Sequence, residues 1–292
     1  MKKPNFFIIG GPKCGTTSMA AWLTAHPQIF MPRRKEPHYF NTDFNLFNTR
    51  TLTDYELLFE EASDAHLAAG EASTHYLYSM NAVEHILQYC DSPKFIVMIR
   101  NPIEMAYSLY GEKVVAGEER VRDFATAWGL QDRRMKEDYK LNHHDPKLFM
   151  YGPMCRLGEQ LDRLLATVER QHVLTIVLDD LKHHPQREYQ RVLAFLGVPD
   201  DHRTDFPVQN ISKDLRIHII QQIVYRSRDA RVYGRSPKYL NRMVRFINKY
   251  NKVNRSRAPL STEMKDELKR YFKEDISILS KLLQRDFSHW LA

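Results

Sequence analysis

Short apolar runs separated by longer stretches of mixed polarity set the rhythm of the chain. Asn5–Gly10 is a β-rich apolar run of strand length. The loop Gly11-Pro12-Lys13-Cys14-Gly15 follows, and then TTSMAAWLTAH, whose apolar residues recur at helical spacing. Strand, tight loop and helix are predicted in that order. Gln28–Met31, Leu67–Ser73 and Lys94–Arg100 are further candidate strands, and His172–Leu178 (HVLTIVL) reads as a parallel strand buried on both faces. Helices are predicted over NPIEMAYSLYGEKV, where Pro102 suits a first turn, and over Asp123–Tyr139, Tyr151–Glu169 and Gln186–Leu196. Gly197 and Pro199 stop the last of these.

Strands alternating with helices predict an α/β fold, a doubly wound parallel sheet flanked by helices, with ligands at the C-terminal ends of its strands. From Ile211 onward the pattern reads as all helical and basic, closing with a helix from about Ser261 to Leu283 and the aromatic tail RDFSHW. With no internal repeat or low-complexity linker, one domain is expected over 1–292. Its parts are a core at 1–210, a basic helical layer at 211–260, and a terminal helix and tail at 261–292.

Composition narrows the class. With 43% hydrophobic and 27% charged residues over 292 positions, the chain can bury a sizeable core and is neither disordered nor fibrous. No run approaches the roughly 20 apolar residues of a membrane-spanning helix. The basic start MKKPNFFIIGG has too short an apolar stretch for a signal peptide and fits a first buried strand. Cys14, Cys90 and Cys155 are scattered, so neither a disulfide framework nor a zinc site is expected, and a reducing cytoplasm fits. The net charge of +7 proposes an anionic partner, but it is unevenly spread. Between Ile211 and Arg257 thirteen Lys and Arg stand against Asp214 and Asp229, so the remainder is mildly acidic. The surplus therefore serves something local rather than a general polyanion coat.

The strongest chemical signal is Gly10-Gly11-Pro12-Lys13-Cys14-Gly15-Thr16-Thr17-Ser18 between a predicted strand and a predicted helix. Glycines let backbone N–H groups turn inward, and a helix N-terminus adds partial positive charge, so an anion such as phosphate belongs there. Against the nucleotide-triphosphate frame G-x-x-x-x-G-K-[ST], Thr16 holds the lysine position and the lysine has moved to 13. Cys14, beside Lys13 at a helix start, would have a lowered pKa that could make it reactive, but a small residue filling the loop is the expected role.

The loop resembles that of the sulfotransferases that use 3′-phosphoadenosine 5′-phosphosulfate (PAPS), whose first motif has the form x-P-K-[SGC]-G-T-[TS]. FIVMIRNPIEMAYSLY is similar to that family's second motif and supplies Arg100 and, eight residues on, Ser108, which the resemblance assigns to the 3′-phosphate. NRSRAPLS resembles the late loop over the nucleotide, which would add Arg255, Ser256 and Arg257. KEPHYF at 35–40 looks like the acidic loop of the carbohydrate branch, including heparan sulfate and bacterial enzymes, whose glutamate is the proposed base. Glu36 and His38 sit two apart and face the same way in an extended segment. GEASTHYLYS departs from that branch in having Ala72 where lysine is frequent, and its His75 is similar to the catalytic histidine of small-molecule sulfotransferases. Glu36 and His75 thus compete for the role of general base, with Glu36 placed first on the motif.

The resemblance implies in-line sulfuryl transfer from PAPS to an acceptor hydroxyl of a saccharide, lipid or small molecule, with Lys13 on the leaving 5′-phosphate. Gly11, Pro12, Cys14, Gly15, Thr16, Thr17 and Ser18 would complete the phosphate cradle, and the arrangement calls for no metal. The competing readings are a P-loop kinase, against which Lys13 and the missing lysine at 16 argue, and a basic nucleic-acid binder. The residue of the basic segment, with Tyr239, Leu240, Met243, Phe246 and Ile247 interleaved, would line an acceptor groove or touch a membrane surface. His143-His144 and His183-His184 read as surface pairs, and the sequence is silent on oligomeric state.

Overall fold

The computed structural model describes residues 2–46, 49, 51–136, 145–209, 214–215, 252–253 and 258–292. Five strands, β1 (Phe6–Gly10), β2 (Ile29–Phe30), β3 (Ala68–Ala72), β4 (Lys94–Ile99) and β5 (Val173–Val177), form one sheet in the order β2-β3-β1-β4-β5. Every pairing in it is parallel. All five strands fall where apolar runs predicted them. β1 is central and buried at every position, which explains its unbroken apolar sequence. β5 lies at the sheet edge instead of being covered on both faces, and Leu174 and Thr175 are half-buried there.

The chain leaves β1 through α1 (Thr16–Thr24) toward β2 and β3 on one side, and the later strands β4 and β5 lie on the other. The order therefore reverses beside β1, and a crevice at the C-terminal ends of β1 and its neighbours is the expected ligand position. The chain packs into two compact units. One comprises 1–105, 154–210 and 269–292 and holds the whole sheet; the other comprises 106–153 and 211–268. The helix Pro102–Ala116 follows β4 and begins on the predicted proline.

Two long helices predicted from periodicity are broken. The helix expected over 123–139 is Phe124–Gly129 followed by Gln131–Lys136. Gln131 is the cause, since its buried amide donates to the Trp128 carbonyl (2.9 Å) and accepts from Gly152 N–H (2.6 Å). The helix expected over 151–169 is Tyr151–Met154 followed by Leu157–Thr167. Asp275, from the C-terminal helix Thr262–Leu283, caps the second piece by accepting from Gly158 N–H (3.1 Å) and Glu159 N–H (2.9 Å). The all-helical reading from Ile211 is corrected by a short antiparallel pair, Asp214–Leu215 with Lys252–Val253.

Candidate functional site

The loop after β1 is shaped by a register shift between Ile8 and Gly10 and by backbone in the left-handed region at Lys13 (φ 63°) and Gly15 (φ 87°). A side chain at Gly15 would be strained by that φ, and its Cβ would lie 2.9 Å from Leu178 Cδ1. Gly15 is also the N-cap of α1, with no side-chain cap and no acidic residue in the first turn. The positive end of this helix is thus left for an anion from outside the chain. Gly11 N–H is committed to the Met98 carbonyl (2.6 Å), and Pro12 has no N–H, so these two shape the loop. Thr16 and Ser18 are buried, and Ser18 Oγ accepts from Gln209 N–H (3.0 Å). Lys13, Gly15 and Thr17 are the more open positions of the loop.

Cys14 is fully buried, its thiol directed to the Pro12 carbonyl (3.4 Å) with Met105 Sδ 3.8 Å away. Burial pushes the thiol up to about 12 against the opposing pull of Arg100 and Lys13, so the lowered, reactive thiol considered from sequence is overturned. Cys14 fills the loop. Arg100, just past β4, donates through Nη1 to the Lys13 carbonyl (3.0 Å) and pairs through Nη2 with Glu104 (2.5 Å). Its buried Nε has no partner among the described residues. One guanidinium therefore ties the loop of β1 to the end of β4 and keeps donor capacity for an anion beside Lys13. Ser108 is half-buried on the helix Pro102–Ala116. Arg255, Ser256 and Arg257, the apolar positions among 239–247, and His143-His144 lie outside the described residues.

At the neighbouring strand end, β3 leads into Ser73-Thr74-His75, and the segment 33–41 lies against it. Glu36 N–H donates to the Ala72 carbonyl (3.1 Å) and His38 N–H to Ser73 Oγ (3.1 Å). Glu36 (φ 60°) and His38 (φ 51°) both hold left-handed backbone, which costs about 1–2 kcal/mol per residue and gathers at functional sites. The two candidate bases are joined rather than opposed. His38, buried and not singled out for catalysis from sequence, places Nε2 3.6 Å from Glu36 Oε2 and 3.4 Å from His75 Nδ1. Thr74 Oγ1 lies 3.4 Å from Glu36 Oε1. Burial resists ionisation of Glu36, but His38, Lys35 and His75 outweigh it and hold the carboxyl at about 2. Lys35 bridges this cluster to the loop, its Nζ donating to Thr17 Oγ1 (2.7 Å) and standing 3.3 Å from Glu36 Oε1.

Beneath the cluster Ser73 Oγ donates to Glu71 Oε2 (2.8 Å), and Tyr76 OH accepts from Tyr39 N–H (3.0 Å). Burial drives the Glu71 carboxyl up to about 7. Glu71 was missed from sequence because an acid in a strand gives no sign of which face it takes. Among the described residues no group of three His, Cys, Asp or Glu could hold a metal ion, and His183 and His184 are exposed. No helix among the described residues is long and apolar enough to cross a membrane.

Comparison with known proteins identifies the family of the chain. In the curated set, the chain is 31% identical over 142 residues to the membrane-associated sulfotransferase kil1 of Dictyostelium discoideum, covering 48% of this chain and 27% of that one. It is 26% identical over 206 residues to human heparan sulfate glucosamine 3-O-sulfotransferase 6, covering 67% of this chain and 52% of the other. It thus spans about a quarter to a half of the length of these relatives. Among solved structures, a sulfotransferase from Alicyclobacillus acidocaldarius superposes with a TM-score of 0.76 at 24% identity over 100% of both chains. Mouse sulfotransferase SULT7A1 complexed with PAP gives 0.50 at 12% identity over 97% of this chain and 88% of that one. These two likenesses establish the fold. The family model described as the sulfotransferase domain matches residues 3–279, and the chain belongs to the sulfotransferase family.

Proposed function

We propose that the protein transfers a sulfuryl group from PAPS to an acceptor hydroxyl, releasing adenosine 3′,5′-bisphosphate. The observation that carries this reading is the juxtaposition of two sites on adjacent strands. An uncapped helix N-terminus with Lys13 and Arg100 stands at the ends of β1 and β4, and a carboxylate–imidazole cluster stands at the end of β3. The first fits the anionic donor and the second fits the hydroxyl.

The N-terminus of α1 and the Thr17 hydroxyl hold the 5′-phosphate, Lys13 meets the bridging oxygen, and Arg100 takes the 3′-phosphate. Glu36, ionised and with its side chain 36% exposed, receives the hydrogen bond of the acceptor hydroxyl. A carboxylate held near 2 is a weak proton acceptor alone, so its neighbours His38 and His75 share the task. The proton therefore passes into Glu36–His38–His75 as a unit. The contacts of 3.6 and 3.4 Å are longer than formed hydrogen bonds and shorten in the loaded complex, as catalytic contacts do. The acceptor oxygen forms its bond to sulfur as the bond from sulfur to the 5′-phosphate oxygen breaks, and the departing negative charge ends beside Lys13.

A saccharide hydroxyl is the acceptor class supported by the 206-residue match to the heparan sulfate enzyme. The coverage of residues 3–279 supports one sulfotransferase domain, and three free, buried cysteines support a reducing, cytoplasmic setting. The test is a thermal shift. At about a hundredfold its Kd, adenosine 3′,5′-bisphosphate stabilises by roughly 2.7 kcal/mol. Stronger stabilisation by ATP with magnesium favours a kinase and defeats the proposal.

A further inference from the structure

We infer that Lys35 is a further catalytic residue, whose ammonium contacts the sulfuryl oxygens during transfer and links the donor loop to the base. This deepens the sulfotransferase reading and rests on it. Adjacent side chains diverge in an extended segment, so Lys35 and Glu36 would ordinarily point apart. The left-handed backbone at Glu36 (φ 60°), held by the Glu36 N–H to Ala72 carbonyl bond of 3.1 Å, brings them together. Lysine Nζ then lies 3.3 Å from Glu36 Oε1 on one side and 2.7 Å from Thr17 Oγ1 on the other. Thr17 stands in the first turn of α1, at the end that attracts an anion.

This position has a chemical consequence. The sulfuryl group travels from the loop toward the hydroxyl held by Glu36, and the Lys35 ammonium stands between the two. Lys13 follows Pro12 in the loop and serves the leaving oxygen, and Lys35 is a second cation placed to meet the three sulfuryl oxygens at midpoint. Lysine suits this task because its three donors rotate, letting it keep Thr17 or Glu36 while meeting a moving oxygen. Its side chain is 30% exposed, so the ammonium is partly withdrawn from water, where its field acts more strongly. Lys35, His38, Thr74 and His75 face Glu36, and the Lys35 ammonium also touches Thr17 at the start of α1.

The experiment compares wild type with Lys35→Met, which keeps length without charge, and Lys35→Arg, which keeps charge. Adenosine 3′,5′-bisphosphate lacks the sulfuryl group, so its Kd by calorimetry is expected to change less than about threefold in Lys35→Met. With labelled PAPS, kcat is expected to fall about 100-fold, the effect of removing one preorganised donor, and Lys35→Arg to recover at least a tenth of the wild-type rate. Circular dichroism confirms that both variants fold, and Lys35→Gln replaces Lys35→Met if it does not. A kcat within threefold of wild type overturns the inference. An equal loss of bisphosphate affinity and turnover also overturns it, because the lysine would then only shape the loop. Wild type that neither binds the bisphosphate nor transfers label defeats the sulfotransferase reading itself, a different outcome from an active wild type matched by Lys35→Met.

Discussion

The buried carboxyl of Glu71 gives a stability prediction whose size follows from its surroundings. It is 1% exposed, accepts from Ser73 Oγ, and is driven by burial from 4.5 up to about 7, with the charge of Glu36 adding to the rise. At about 1.4 kcal/mol per pKa unit, ionising it inside the protein costs on the order of 3 kcal/mol more than in the unfolded chain. The sign follows from proton counting. Between about pH 4.5 and 7 the unfolded chain has lost this proton and the folded chain still holds it, so stability falls as pH rises through that window. Glu71→Gln keeps the shape and an acceptor for Ser73 but carries no titratable proton. Denaturant unfolding of wild type and Glu71→Gln at pH 4.5 and pH 8 measures the difference. The variant is expected to gain on wild type by on the order of 3 kcal/mol between the two pH values. A gap that stays constant with pH refutes the reasoning, because Glu71 would then ionise alike in both states.

Other consequences follow from single sites. Gly15→Ala places a side chain at φ 87° and against Leu178, and is expected to cost about 1–2 kcal/mol in thermal unfolding and to abolish measurable adenosine 3′,5′-bisphosphate binding. Asp275→Ala leaves the Gly158 and Glu159 N–H groups without their acceptor, and a loss of about 2–4 kcal/mol is expected in denaturant unfolding. With Asp275 raised to about 6 by burial, the wild-type contribution of this carboxyl is greatest below its ordinary value of 3.8 and declines as pH rises toward 6, which a stability–pH profile against Asp275→Asn reads. His38→Ala breaks the path between Glu36 and His75, and kcat is expected to fall by about 100-fold with the bisphosphate Kd unchanged, as isothermal titration and steady-state rates together show.

The sheet was legible because its strands are buried and therefore continuously apolar, as FFIIG and FIVMI are. The loop was legible because its glycine, lysine and threonine spacing is local. Features set by distant or backbone causes were not. The break before Leu157 depends on Asp275, 117 residues from Gly158. The meeting of Lys35 with Glu36, and of His38 with His75, depends on left-handed turns at Glu36 and His38 that no side-chain pattern announces. Glu36 and His75 read as rivals in sequence because the residue between them in space, His38, was seen only as a neighbour of Glu36. For Cys14 the charged neighbours are visible in the sequence, whereas the complete burial that raises its thiol is not.

The central claim is that Lys13 and the Glu36–His38–His75 cluster together move a sulfuryl group to a hydroxyl. Its most direct measurement is incubation of the wild-type chain and Lys13→Ala with sulfur-labelled PAPS and a saccharide extract, counting labelled product against adenosine 3′,5′-bisphosphate released. Equal amounts of the two are expected from wild type, with a rate lower by about 100- to 1,000-fold in Lys13→Ala. Bisphosphate release without labelled product, or transfer by Lys13→Ala at the wild-type rate, contradicts it.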